Sequence, residues 1–207
     1  MADNPVEYFS KMQANPGWRA ILESFARFIA PTAGWQALDV GCGPGALVAV
    51  LQQDYQLKAF GVDADPMMAQ QAAANHGNRF TAGSLPHLPY AENTFDLITA
   101  TNVIYLVDDP AAALRDIGRV LKSGGMFVML NPSEKMNIAA ATALADERGL
   151  TDFARENFIH WGEVAERKPR WSEKDIAALF LQAGLTLIET RERIGDGLAR
   201  YARGIKR

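Results

Sequence analysis

Residues Leu38 to Gly45 read Leu-Asp-Val-Gly-Cys-Gly-Pro-Gly, with the apolar run Trp35–Val40 leading in and Ala46-Leu47-Val48-Ala49-Val50-Leu51 following. That order predicts a strand, a glycine turn and a helix. Gly41, Gly43 and Gly45 carry no Cβ, so the backbone there can turn sharply, adopt positive φ and approach a ligand closely. The helix behind the turn points its unpaired N–H groups back at it. A small molecule bearing hydroxyls, a carboxylate or a phosphate is the expected occupant. The plain alternative is a glycine-rich turn without a ligand.

The spacing does not name that molecule. Gly41 to Ala46 also satisfies the G-x-G-x-x-A form of the dinucleotide fingerprint. Asp39, expected near the mouth of the turn, argues against a pyrophosphate, which it would repel. A carboxylate there can instead accept hydrogen bonds from an ammonium group or ordered water. Pro44 removes one N–H from a loop that a phosphate cradle would want fully donating.

Asp39-Val40-Gly41-Cys42-Gly43-Pro44-Gly45 resembles motif I of the class I S-adenosylmethionine-dependent methyltransferases, (D/E)-x-G-x-G-x-G, at every fixed position. The resemblance implies S-adenosyl-L-methionine as cofactor, held in part by Asp39, Gly41, Cys42, Gly43 and Gly45. It also implies a Rossmann-like, doubly wound α/β fold. The expected sheet is mostly parallel and seven-stranded, with an antiparallel C-terminal strand and a helical insertion. The subgroup it points to is the small-molecule, UbiE/type 11-like one.

At 207 residues the chain suits one domain, 1–207, long enough to bury a full core. A formal charge of −3 leaves no electrostatic footprint for nucleic acid. Arg191, Arg193, Arg200, Arg203, Lys206 and Arg207 gather late but alternate with apolar residues, which predicts a solvated strand face. Cys42 is the single cysteine and cannot close an internal disulfide, which favours a reducing compartment. A small side chain packed under the loop is its expected role, rather than a nucleophile. No stretch reaches the roughly 18 apolar residues of a membrane span. The opening Met-Ala-Asp-Asn-Pro-Val-Glu lacks a signal peptide's basic start and apolar run. The expectation is a soluble cytoplasmic protein with no membrane or nucleic-acid partner.

In chain order, residues 1–34 form an N-terminal helical segment. Pro16 is expected to interrupt any long helix, and Trp18–Ile29 carries apolar residues at helical spacing. Tyr8, Phe9 and Trp18 are candidate lid aromatics. Strands are expected at Trp35–Val40, Lys58–Asp63, Arg79–Ser84, Phe95–Asn102 and Met126–Leu130, with helices between them. Asp65-Pro66 opens one helix that Gly77 ends; Asp109-Pro110 opens another, expected to run to about Lys122. Residues 132–171 break the βαβ rhythm and are expected to be a helical insertion covering the ligand edge, although ordinary packing helices fit equally. Ser172 caps a helix that Gly184 stops. Leu185–Ile194 and Leu198–Ile205 read as strands joined at Gly195-Asp196-Gly197.

Ligands in such sheets lie beyond the carboxyl ends of the strands, where the strand order reverses. Asp63, followed by Ala64, closes the second strand and can accept both ribose hydroxyls; Asp65 is expected to fill the helix cap and leave Asp63 free. That position serves NAD enzymes equally. Gly83-Ser84-Leu85 and the run to Asp96 look like the family segment G-D-A-x-x-L-P-F…F-D, matching at Gly83, Leu88, Pro89, Tyr90, Phe95 and Asp96. The family's adenine-contacting Asp is Ser84 here, a neutral and weaker partner. Asn102, after the fourth strand, is a candidate for the methionine amino group, and Tyr105 for the substrate side. Leu121-Lys122-Ser123-Gly124-Gly125 is similar to the family's L-K-P-G-G. Good resemblance spans residues 35–131, the rest by topology alone.

The resemblance implies in-line methyl transfer to a small-molecule acceptor. An NAD(P)-dependent oxidoreductase and a non-catalytic S-adenosylmethionine-binding module remain alternatives. An aminopropyl transferase would need a denser acidic cluster than Asp108-Asp109. His160 and His87 are candidate bases by position, and His76 suits a helix end. No catalytic residue and no metal ligand is assigned, and the acceptor is not legible.

Overall fold

The computed structural model describes residues 4–207; Met1 to Asp3 of the opening stretch lie outside the described residues. The first half of the chain forms α1 (Pro5–Gln13), α2 (Pro16–Ile29), β1 (Gln36–Val40), α3 (Ala46–Gln53), β2 (Lys58–Asp63), α4 (Pro66–His76) and β3 (Phe80–Ala82). The second forms β4 (Phe95–Thr101), a 3₁₀ turn (Ile104–Leu106), α5 (Pro110–Val120), β5 (Leu121–Pro132) and α6 (Ile138–Glu147). It ends with α7 (Asp152–Glu166), α8 (Glu173–Gln182), β6 (Leu185–Arg193) and β7 (Ala199–Lys206).

One local rule opens four of the helices. Asn4-Pro5, Asn15-Pro16, Asp65-Pro66 and Asp109-Pro110 each place an Asx side chain at the N-cap and proline in the first turn. The Asx oxygen accepts a free backbone N–H, and proline's fixed φ with no N–H suits that turn. Pro16 therefore starts α2 rather than merely interrupting a longer helix. Ser172 and Asp175 form a reciprocal capping box on α8.

The sheet order is β3-β2-β1-β4-β5-β7-β6. β1 to β5 pair in parallel, and β7 runs antiparallel to both β5 and β6. The expected architecture holds, with boundaries displaced at β3, which spans Phe80–Ala82 rather than Arg79–Ser84, and at the junction of α5 with β5. α5 stops at Val120, not Lys122, and β5 begins at Leu121. Leu121 is fully buried and pairs with Phe95, so extending the helix would have lifted an apolar side chain out of the core. A register shift between Phe95 and Leu97 absorbs the Ser123-Gly124-Gly125 stretch inside the strand.

Two apolar layers sandwich the sheet. Leu114, Ile117, Phe127 and Phe180 belong to one, with α5 and α8. Phe25, Leu47, Leu51 and Tyr201 belong to the other, with α2 and α3. Residues 132–171 supply α6 and α7, whose smaller cluster of Met136, Ala141, Leu144 and Ala165 adjoins Leu198 of the closing hairpin. The late basic residues are not simply solvated: Arg200 is buried and paired with Glu134 and Glu192 at 3.0 and 2.9 Å. No helix among the described residues is long and apolar enough to cross a membrane.

The chain lays β2 and β3 on one side of β1, then returns to place β4 on the other. The crevice made by that reversal opens beyond Val40 of β1 and Thr101 of β4.

Candidate functional site

A cavity of about 860 Å³ occupies that crevice. Its floor is Gly41 and Gly43 after β1, Asp63 to Asp65 after β2, and Thr101 to Val103 after β4. α1 and α2 contribute to its wall, with α7 and the turn end of the closing hairpin, Arg193 and Ile194.

The floor begins where β1 ends. The N–H groups of Gly41 and Cys42 both donate to the Val62 carbonyl, at 2.7 and 3.1 Å, tying the loop to β2. Gly41 has φ +68, and a Cβ there would stand 2.2 Å from a Val103 methyl. The glycine thus lets the segments after β1 and β4 meet at the cavity floor. Gly45 serves packing instead: its missing Cβ makes room for His76 and Phe80, and it stands outside the cavity wall.

Asp63 lines the cavity but is not free as its sequence position suggested. One carboxylate oxygen accepts from the Gly43 N–H at 2.8 Å and the other from the Asp65 N–H at 2.9 Å. Asp65 caps α4 as expected, accepting from Met67 at 2.9 Å. Each Asp63 oxygen keeps a further lone pair for a ligand, and the two backbone bonds fix where those lone pairs point. Burial raises its pKa, against the lowering effect of those bonds. Ala64 stands beside it in the wall.

Asp39 is not at the mouth of the turn. It is 2% exposed, lies beneath the glycine loop outside the cavity wall, and accepts from the Thr99 hydroxyl at 2.8 Å. The parallel register sets Asp39 beside Thr99 on β4, so the two side chains share one face of the sheet and pair there. Burial pushes its pKa up to about 7, with the nearby Asp63 charge adding to the rise and the Thr99 bond opposing it. Cys42 also packs inside, its thiol pushed well above the ordinary range first by burial and then by the Asp39 and Asp63 charges.

Gly83, Ser84 and Leu85 are not brought into the cavity wall. Gly83 is held under Pro89, Ser84 is exposed, and Leu85 packs on the core. Asn102 is at the centre of the floor. Its φ of +59, which Asn tolerates better than most residues, turns the chain after β4, and its N–H donates to Leu130 at 2.7 Å. Its side-chain oxygen is buried and has no partner among the described residues. Tyr105 is buried in the same wall, and desolvation pushes its hydroxyl up to about 12.

Of the histidines, His160 lines the cavity, exposed and bonded to Glu163 at 3.2 Å. His87 lies away from it, its N–H donating to Asp116 at 2.6 Å, and His76 packs against Phe80. Among the described residues no cluster of three His, Cys, Asp or Glu side chains suits a metal ion.

Sequence reading missed Gln13. Its side-chain oxygen accepts from the Ala46 N–H at 3.0 Å, and its amide nitrogen donates to the Cys42 carbonyl at 3.4 Å. α1 thereby caps α3 and holds the glycine loop from above. The available signal was negative: Gly45 is the N-cap of α3 and has no side chain to cap with. Also missed was the convergence of α1 and α7, where Tyr8 donates to the Asn157 side-chain oxygen and stacks edge-on to Phe153 at 5.6 Å. The indole N–H groups of Trp18 and Trp161, both in the wall, are buried without a well-aligned partner among the described residues, that of Trp161 lying beside the Tyr105 hydroxyl.

Residues 38–129 match the family model described as "Methyltransferase domain". A demethylmenaquinone methyltransferase of Corynebacterium kroppenstedtii is 28% identical over 162 residues, covering 74% of this chain and 68% of that protein. Another, from Roseiflexus castenholzii, is 37% identical over 118 residues, 55% of this chain and 48% of that protein. A crystal structure of a SAM-dependent methyltransferase from Aquifex aeolicus superposes with a TM-score of 0.71 at 15% identity, covering 98% of this chain and 99% of that one. The chain spans about half the length of curated relatives it matches, 52% and 48% of two of them.

Proposed function

We propose that the chain is a class I S-adenosylmethionine-dependent methyltransferase, supported by the methyltransferase-domain match over residues 38–129 and the methyltransferase relatives, and that it transfers a methyl group from S-adenosyl-L-methionine to a small-molecule acceptor. The single observation that carries this reading is the unpartnered, buried Asn102 oxygen at the switch point of the sheet. A lone acceptor buried in a cavity floor is costly unless a ligand donates to it. An ammonium group does so, and a methionine tail laid over Gly41 and Gly43 would bring one there. Asp63 would take the ribose hydroxyls on its remaining lone pairs. Ala64, Asp65 and Met68 then flank the adenine, with Gly83, Ser84 and Leu85 behind them on the β3 side. In this reading Asp39, Cys42 and Gly45 shape the loop from within rather than touching the cofactor.

The cofactor supplies, when bound, a methyl group already made electrophilic by its sulfonium. What remains for the chain is to align an acceptor in line with that methyl and keep water away, and such orientation is worth up to about 7–11 kcal/mol in favourable cases. Tyr8, Phe158 and Trp161, from α1 and α7, form the apolar enclosure. We assign no residue to proton transfer. We read residues 1–207 as one domain, 132–171 as its lid, and the setting as cytoplasmic.

Asn102→Gly tests the reading directly. Glycine accepts the positive φ without strain, so only the side-chain oxygen is lost. Loss of one charge-assisted bond predicts S-adenosylhomocysteine binding weakened roughly tenfold to a hundredfold by calorimetry. Stabilisation of the wild type by NAD with none by S-adenosylhomocysteine would overturn it in favour of an oxidoreductase. Binding without methyl turnover across a metabolite panel would favour the non-catalytic module.

A further inference from the structure

We infer that the acceptor half of the cavity selects an aromatic small molecule carrying a carboxylate, held by the Arg193 guanidinium and the Trp161 indole N–H; this rests on the methyltransferase reading above.

Charge is divided along the cavity. Its wall contains two carboxylates among the described residues, Asp63 and Asp65, both after β2 at the end assigned to the nucleoside. Its arginines, Arg148 and Arg193, come from α6's end and β6, and two of the acids close to them in sequence are already engaged. Glu192 binds Lys135 and Arg200 at 2.7 and 2.9 Å, and Asp146 binds Arg155 at 3.0 Å. Neither Arg148 nor Arg193 has a salt-bridge partner among the described residues. Arg193 is half-buried. It is steadied by the Tyr201 ring 5.7 Å away and by donation to the Glu192 carbonyl at 3.1 Å. A guanidinium placed this way keeps further N–H donors for a planar oxyanion.

The hydrogen-bonding groups in the wall are biased the same way. Trp18 and Trp161 each present a buried N–H with no well-aligned partner, that of Trp161 lying beside the Tyr105 hydroxyl, and an indole nitrogen can only donate. The cofactor's own carboxylate can satisfy one of them. The other still has an N–H to offer a ligand acceptor, and Trp161 sits on α7, where it touches all three apolar clusters. These donors favour a ligand rich in acceptors at this end. An amine there would meet donors and arginine charge with no carboxylate to balance it. The walls are ring faces and edges, from Tyr8, Tyr105, Phe158 and Trp161, which favour a flat apolar body.

The test uses the full chain saturated with S-adenosylhomocysteine and two matched series. One is indole-3-acetate, indole-3-acetamide and tryptamine; the other is 1-naphthoate, 1-naphthamide and 1-naphthylmethylamine. Calorimetry should find each carboxylate bound at least roughly tenfold more tightly than its amide or amine, the worth of a charge-assisted hydrogen bond. Arg193→Gln should abolish that preference while leaving S-adenosylhomocysteine affinity unchanged, which also reports that the variant is folded. Arg193→Ala provides the same readout if the glutamine finds a new partner. Equal binding across a series, preference for the amine, no binding by any member, or a preference that survives both substitutions would each overturn the inference. Failure of S-adenosylhomocysteine to bind the wild type would instead sink the cofactor reading beneath it.

Discussion

Replacing Asp63 with asparagine is nearly isosteric, yet the structure makes it a severe change. The two carboxylate oxygens accept from different backbone donors, Gly43 N–H at 2.8 Å and Asp65 N–H at 2.9 Å. Asparagine has one oxygen and one NH₂, so whichever way the amide turns, a donor faces a donor. One backbone bond is lost and a half-buried N–H is left unpaired, at a cost of about 1–3 kcal/mol. For a domain of this size that predicts a Tm lower by roughly 2–12 °C without any ligand. The ribose then meets a neutral amide on a displaced loop, and loss of a charge-assisted bond predicts at least roughly tenfold weaker S-adenosylhomocysteine binding. Differential scanning calorimetry and ligand titration measure the two effects separately. An Asp63→Asn protein with wild-type Tm and affinity would refute both the bridging role and the place of Asp63 in the site. A lower Tm with unchanged affinity would keep the bridge and remove the ribose contact.

Asp39 predicts a pH signature. Its pKa is about 7 in the folded chain and lower when unfolded, so the folded state holds the proton more tightly. Its contribution to stability is then fully present below about pH 4 and is lost as pH rises toward 7. Asp39→Asn, which keeps an oxygen for Thr99, should flatten the decline of Tm across that range; an unchanged slope would refute the assignment. Gly41→Ala should lower Tm and weaken cofactor binding, because the new Cβ meets Val103 at 2.2 Å and φ is +68. Adding Val103→Ala should recover the steric part and not the backbone part, and full recovery would show that φ is not strained. Gln13→Ala removes the cap on α3 and should cost about 0.5–2 kcal/mol, the usual worth of an N-cap. A wild-type denaturation midpoint in that variant would show that α1 does not hold the loop.

Much of the frame was legible because its causes are local. The glycine turn, the Asx-Pro helix openings, the Ser172 capping box and the strand at Lys58–Asp63 each follow from residues within a few positions of one another. The α5 end was misplaced for the opposite reason. Lys122 to Gly125 read locally as a helix end, whereas burial of Leu121 against β4 starts the strand earlier.

What the sequence by itself determined is the βαβ order, the seven strands and the neighbourhood of the cavity, because backbone chemistry and side-chain periodicity act over short separations. Tertiary structure alone decided which named residues line that cavity. Parallel register buried Asp39 against Thr99, and β2 joined Asp63 to Gly43. Gln13 reached across 33 positions to Ala46, and Tyr8 reached across 149 to Asn157. Such pairings have no trace in local pattern, since they depend on where separate elements dock and not on what either segment prefers alone.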